Sequence, residues 1–245
     1  MSYRAFFGLK SKPFAADLPL DAILKTEDLQ EVQQRILYTI DLGAIALVTG
    51  EVGAGKSTAL RWVCGGLHPS RYKPLWVTAT SGSILEVYRQ LLSELDIQTA
   101  SSSRAILTGL IRTQILNLVQ SKKQQPVLVI DEASLLRLDV FAELHTLTQF
   151  EGDSKPYLPI ILAGQNNLAD NLLYRSAVPL ASRIVARRHL QEVNREGMAR
   201  YLAHHLSIAG LKHSPFDEQC GSRGSCWPGT RSWRGWPLRR RQRLP

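Results

Sequence analysis

Gly50-Glu51-Val52-Gly53-Ala54-Gly55-Lys56-Ser57-Thr58 carries the most specific chemistry in the chain. It fits the phosphate-loop pattern G-x-x-x-x-G-K-[ST] without a mismatch. Glycines let the backbone close on an anion so that successive N–H groups point at it, and the N-terminal end of a following helix adds positive potential. Lys56 then reaches β- and γ-phosphates as a point charge, Ser57 is placed to ligate magnesium, and Thr58 packs. The flanks agree: the apolar run Ala44–Thr49 reads as a buried strand and Thr58–Val63 as the start of a helix. A nucleotide-binding enzyme is predicted.

A second stretch, Pro126-Val127-Leu128-Val129-Ile130-Asp131-Glu132, is an apolar run ending in two carboxylates. Central parallel strands read this way when their carboxyl ends enter a ligand crevice. The pattern looks like a Walker B motif, in which Asp131 holds magnesium and Glu132 orients or deprotonates the water that attacks the γ-phosphate. Acids also favour the first turn of any helix, but the upstream phosphate loop favours the catalytic reading. A third run, Leu158–Gly164, precedes Gln165-Asn166-Asn167. An amide there is placed to sense a γ-phosphate, Gln165 ahead of Asn166, although asparagines equally suit an ordinary turn. Ala181–Leu190 is a short, partly apolar segment bearing Arg183, Arg187 and Arg188, one of which is a candidate to act in trans.

The elements that must position these residues alternate between strand and helix. Leu29, Val32, Ile36, Leu37 and Ile40 recur at helical spacing from Asp28, and Gly43 supplies a stop. Pro74–Ala79 reads as a strand, followed by a helix from about Ser83. Ser101-Ser102-Ser103 caps a helix with Ile106, Leu107, Leu110, Ile111, Ile115, Leu116 and Val119 facing the core. Lys122–Gln125 is a solvated turn. A further helix is predicted from about Ser134, and another around Met198, Tyr201, Leu202 and Leu206, where adjacent His204 and His205 serve as surface or packing residues. Residues 1–25, punctuated by Gly8, Pro13 and Pro19, read as an extended arm lying on the core.

At 245 residues the chain holds one large α/β domain, with room for a small appendage. It lacks both a long apolar run and a signal-peptide plan, so a cytoplasmic location is expected. Three cysteines, Cys64, Cys220 and Cys226, are too few and scattered for a disulfide framework or a zinc site, and Cys64 reads as inert. The net charge of +9 is concentrated at the end: residues 219–245 hold seven arginines and no acid, leaving 23 basic against 21 acidic residues, or +2, in residues 1–218.

With these residues in view, the chain resembles AAA+ ATPases, and among them the branch of the general secretion pathway protein A ATPases and the helper ATPases of DNA transposition. Phe7-Gly8-Leu9 with Pro13-Phe14, the phosphate loop, Ile130-Asp131-Glu132-Ala133, Gly164-Gln165 and Ser182-Arg183-Ile184 carry the likeness. It implies a three-layer α/β fold with a parallel sheet, ATP and Mg2+ as ligands, Gln165 as sensor 1, and Arg183 as an arginine finger entering a neighbouring copy's site. A ring or filament of copies follows. The expected divisions are an arm at 1–25, the ATPase core at 26–190, the start of a helical lid at 191–218, and a basic, disordered tail at 219–245.

The resemblance also implies a lid with a second sensor arginine, and no such segment is recognisable. The tail's Arg, Gly, Pro, Trp and Ser cannot build a core. They are what GC-rich codons yield out of frame, so a truncated or frame-changed end is expected, with an arm that contacts nucleic acid as the alternative. The leading functional expectation is an ATP-hydrolysing helper that directs a transposase on DNA. A secretion-system ATPase is second, and an inactive ATP-binding remnant third.

Overall fold

The computed structural model describes residues 3–211 apart from 16 and 81. Its elements run α1 (Tyr3–Phe7), α2 (Glu27–Leu42), β1 (Ile45–Gly50), α3 (Lys56–Gly65), β2 (Tyr72–Thr78), α4 (Ile84–Glu94), α5 (Arg104–Gln120), β3 (Gln125–Asp131), α6 (Leu138–Leu147), β4 (Ile160–Gly164), α7 (Asn167–Asn171), α8 (Val178–Ala181), β5 (Ile184–Leu190) and α9 (Arg195–Ile208). The expected tail and the end of the expected lid segment, from residue 212 on, lie outside the described residues.

Residues 25–192 form one compact unit, and the described residues of 3–24 and 193–211 form a second. In the larger unit the strands pair in parallel in the order β2-β3-β4-β1-β5. Period 2 sends successive side chains to opposite faces, and the central strands β1, β3 and β4 are apolar and buried on both, whereas the edge strands β2 and β5 bury one. Ile45, Leu47, Leu75, Val77, Leu128, Ile130, Ile160 and Leu162 join a core with residues of α4, α5 and α6. Helices α2 and α3 pack on the sheet outside that cluster. The fold is therefore the expected α/β arrangement with a parallel sheet between helical layers.

Local chemistry explains the boundaries of α2: Thr26 accepts a hydrogen bond from the Leu29 N–H at 3.2 Å, and Gly43 ends the helix at φ 62°. Side chains occupy some outer backbone groups on both edge strands. On β2 the Trp76 N–H donates to Glu94 Oε2 at 3.2 Å and the Thr78 N–H to Gln90 Oε1 at 2.9 Å, while Gln90 Nε2 donates to the Thr78 carbonyl at 2.9 Å. On β5 the Arg187 carbonyl accepts from Arg35 Nη1 at 2.7 Å.

The segment 181–190, to which the sequence assigned no element, ends as edge strand β5, where it pairs with β1. The structure corrects three local expectations. The helix expected from Ser134 is interrupted: a 3-10 turn at Ala133–Leu135 precedes extended Leu136, and α6 begins at Leu138. Ser103 occupies the N-cap of α5 but makes no capping bond, and Ile106 is 53% exposed although its spacing placed it in the core. The N-terminal arm is partly helical, with α1 and a 3-10 turn at Leu20–Ala22. Cys64 is buried and its thiol is pushed up to about 12 by desolvation, which makes it inert as expected.

In the smaller unit the Lys10 N–H donates to the Ala209 carbonyl at 2.8 Å, and His204 bonds the Ala22 carbonyl at 2.8 Å. His205 is buried, stacked on Phe14 with ring centroids 5.3 Å apart and against Tyr201 at 4.1 Å. Burial, and secondarily His204, hold its pKa below the ordinary imidazole value. The fold thus favours neutral His205, while the unfolded chain protonates near pH 6.5. Stability of this unit is full above that pH and is lost on acidification from about 6.5 down to the depressed folded value. Thermal melts between pH 8 and 5 should follow this course, and His205→Phe should flatten it; an equal acid loss in the variant would remove His205 as the cause.

Candidate nucleotide site

The carboxyl end of β1 delivers the chain into the phosphate loop. A side chain at Gly50 would place a Cβ 2.7 Å from the Leu190 carbonyl, so the first glycine lets β5 approach. Gly53 and Gly55 take φ 88° and 91°, the left-handed region open to glycine, and turn the loop into α3. Lys56 is buried, and its Nζ donates to the Gly50 and Glu51 carbonyls, each at 3.0 Å. An ammonium has three donors, so one remains for a phosphate. Thr58 is exposed rather than packed, a correction to its expected role, because it lies on the outer side of the first turn of α3.

Strand order assembles the rest. β4 lies between β1 and β3, so the ends of all three strands share one rim. Ser57 Oγ donates to Asp131 Oδ2 at 2.7 Å. Both are hard oxygen donors, and adjacent ligands of an octahedron with ~2.1 Å bonds stand about 3 Å apart, so the pair fits a magnesium ion with water completing the shell. Glu132 adopts φ 54°, and its N–H donates to Asp131 Oδ1 at 2.9 Å. A left-handed glutamate is strained, and such strain collects where function fixes a side chain's direction.

At the end of β4, a side chain on Gly164 would bring a Cβ within 2.9 Å of the Ser134 N–H group's nitrogen, and the Gln165 N–H donates to Ser134 Oγ at 3.3 Å. Gln165 is therefore tied by its backbone to the turn that follows Glu132. Asn166 Nδ2 donates to Glu51 Oε1, a link across 115 positions between this rim and the phosphate loop. Neither Ser134 nor the Glu51–Asn166 pair was marked by the sequence, since each depends on the order of strands rather than on spacing.

Arg183 stands apart. Its carbonyl accepts from the Ile45 N–H at 3.1 Å, at the start of β1, whereas the phosphate loop follows the end of that strand. Six residues of strand span roughly 20 Å. Its guanidinium pairs with Asp153. Arg188 is engaged with Asp28 and Glu31, and Arg187 is exposed.

A family profile described as AAA domain matches residues 40–172. The chain belongs to the AAA domain family. The AAA domain accounts for the phosphate loop, both carboxylates and the β4 rim in one segment, and the family is one of nucleotide-binding P-loop ATPases. General secretion pathway protein A of Aeromonas hydrophila is 30% identical over 211 residues, which are 85% of this chain and 38% of that protein. The chain thus spans well under half the length of that relative. Among solved structures, Cdc6p from Pyrobaculum aerophilum superposes with a TM-score of 0.65 at 13% identity, over 83% of this chain and 55% of that one. The ORC1 protein of Aeropyrum pernix, solved in complex with DNA, gives 0.62 at 15% identity, over 83% and 56%. At these identities the structures show a common AAA-type fold. Among the described residues, no helix is long and apolar enough to cross a membrane.

Proposed function

We propose that the chain hydrolyses Mg-bound ATP within an assembly of its own copies. The observation that carries this reading is the convergence of Lys56, the Ser57–Asp131 oxygen pair and Glu132 at one rim. The phosphate loop holds the triphosphate, Lys56 offers its remaining N–H to the β- and γ-oxygens, and Ser57 with Asp131 holds Mg2+, which neutralises charge on the transferred group. Glu132 accepts a proton from the attacking water. Gln165 reads the γ-phosphate from the β4 rim.

Arg183 completes the site in trans. Its place at the opposite end of β1 keeps it from its own copy's phosphates, so any phosphate that it meets belongs to a neighbour. Arg183→Ala should lower turnover by about 10³-fold or more with ATP affinity retained. Turnover within tenfold of the unmodified protein would exclude the finger role.

The likeness to a secretion protein supports the reading of a secretion-system ATPase over that of a transposition helper, and the near-neutral charge of residues 1–218 points the same way. The DNA reading keeps one specific support, the seven arginines and interleaved tryptophans of residues 219–245. Retention on duplex DNA with ATP separates the two. The secretion reading expects none even at ~20 mM salt, where phosphate contacts are strongest, and salt-sensitive retention would restore the transposition reading.

A further inference from the structure

Between α6 and β4 the chain makes a turn of three successive left-handed residues, Glu151, Gly152 and Asp153, at φ 48°, 66° and 70°. Phe150, fully buried, anchors the turn and bridges to Lys155, and the Ser154 N–H donates to the Phe150 carbonyl at 3.2 Å. Tyr157 donates its hydroxyl to Glu151 Oε1 at 3.0 Å. The result is a short, internally bonded loop that carries the Asp153 carboxylate, and Asp153 Oδ2 accepts from Nη2 of Arg183. The arginine is equally fixed at its backbone, by its N–H to the Leu180 carbonyl at 3.0 Å and its carbonyl to Ile45.

His145 of α6 faces the same pair. Burial, and then the positive charge of Arg183, keep its pKa below the ordinary value, so at neutral pH it adds no competing cation and the Asp153 carboxylate is left to Arg183. Arg183 itself holds the Asp153 carboxyl below the usual range through their hydrogen bond.

We propose that Asp153 is a positioning residue that holds Arg183 in its own subunit until a neighbour's nucleotide competes for it, and so sets the protein concentration at which ATP turnover begins. This rests on the reading of Arg183 as a finger given in trans. The guanidinium has five N–H donors in a planar fork. A γ-phosphate offers more charge and one more acceptor oxygen than a carboxylate, so it displaces Asp153 when a neighbouring copy presents it. Both side chains remain partly exposed, Arg183 at 28% and Asp153 at 44%. A pair of this kind is worth up to about a fivefold change in an equilibrium constant.

The test mixes two inactive proteins. Arg183→Ala keeps its nucleotide site and lacks the finger; Lys56→Ala keeps the finger and lacks the nucleotide. Titrating the Lys56→Ala protein into a fixed amount of Arg183→Ala should restore ATP turnover. A Lys56→Ala/Asp153→Asn donor should reach half-maximal rescue at about three- to fivefold lower concentration. Asparagine suits φ 70° at least as well as aspartate, so the turn survives the change. Equal or higher rescue concentrations for the Asp153→Asn donor overturn the proposal, and a lowered thermal midpoint beside them would mark the pair as purely structural. If neither donor rescues, the trans finger itself is wrong and the proposal falls with it.

Discussion

Glu132→Gln is expected to bind ATP as tightly as the unmodified protein and to hydrolyse it about 10²- to 10⁴-fold more slowly. Glutamine matches glutamate in size and keeps a hydrogen-bonding oxygen toward the attacking water, but it cannot take the proton. The neighbouring ligands should stay in place. Asp131 is fixed from two sides, by the Ser57 hydroxyl at 2.7 Å and by the backbone N–H of residue 132 at 2.9 Å, and neither bond involves the Glu132 carboxylate. Single-turnover hydrolysis measured beside a nucleotide titration checks this. Unmodified turnover would show that another group activates the water, whereas lost binding would show that Glu132 supports the loop.

Lys56→Ala should remove nucleotide binding itself, by about 100-fold or more. The ammonium is the strongest positive charge at the phosphate loop, and it is buried. Its loss also leaves the Gly50 and Glu51 carbonyls without their donor, so the loop loses an internal tie together with its charge. Ligand-induced stabilisation reads the effect directly. ATP at 100 times its dissociation constant should stabilise the unmodified protein by about 2.7 kcal/mol, and the same ATP should leave the melting of Lys56→Ala unmoved. Stabilisation equal to that of the unmodified protein would mean that the backbone N–H groups alone hold the triphosphate. Arginine is not expected to substitute, because its planar fork does not fit where a compact point charge sits between two carbonyls.

The candidate residues that the structure brings together at the rim were legible because their motifs are contiguous. The phosphate loop spans nine consecutive positions and the second motif ends in adjacent carboxylates, so local spacing sufficed to name Lys56, Ser57, Asp131 and Glu132. The parallel sheet was legible for the same reason, since β1, β3 and β4 are uninterrupted apolar runs. Their order was not. The contact of Ser57 with Asp131 joins residues 74 positions apart, and that of Asn166 with Glu51 joins residues 115 apart. Both exist because β4 is interposed between β1 and β3, a fact of long-range pairing that no local period records. β5 was hidden by Arg187, Arg188 and His189, whose charge and polarity argue against a strand until Asp28 and Glu31 of α2 are present to pair with Arg188 and Thr49 of β1 to meet His189. Asp153 escaped notice because the turn that aims it lies in the left-handed region at three residues, only one of them glycine.

The backbone groups occupied on the two edge strands bear on the kind of self-assembly proposed above. An open strand edge offers a continuous row of backbone donors and acceptors, and copies that join through it build an extended sheet that is difficult to dissolve. Here Gln90 and Glu94 occupy the outer backbone groups of Trp76 and Thr78, and Arg35 occupies the Arg187 carbonyl at the opposite edge. Strand-to-strand joining is blocked at those groups, so the assembly of copies proposed above would join there through side chains rather than through backbone pairing. In the proposed ATPase such an association would stay reversible, as a cycle of ATP turnover requires, where a continuous sheet would not.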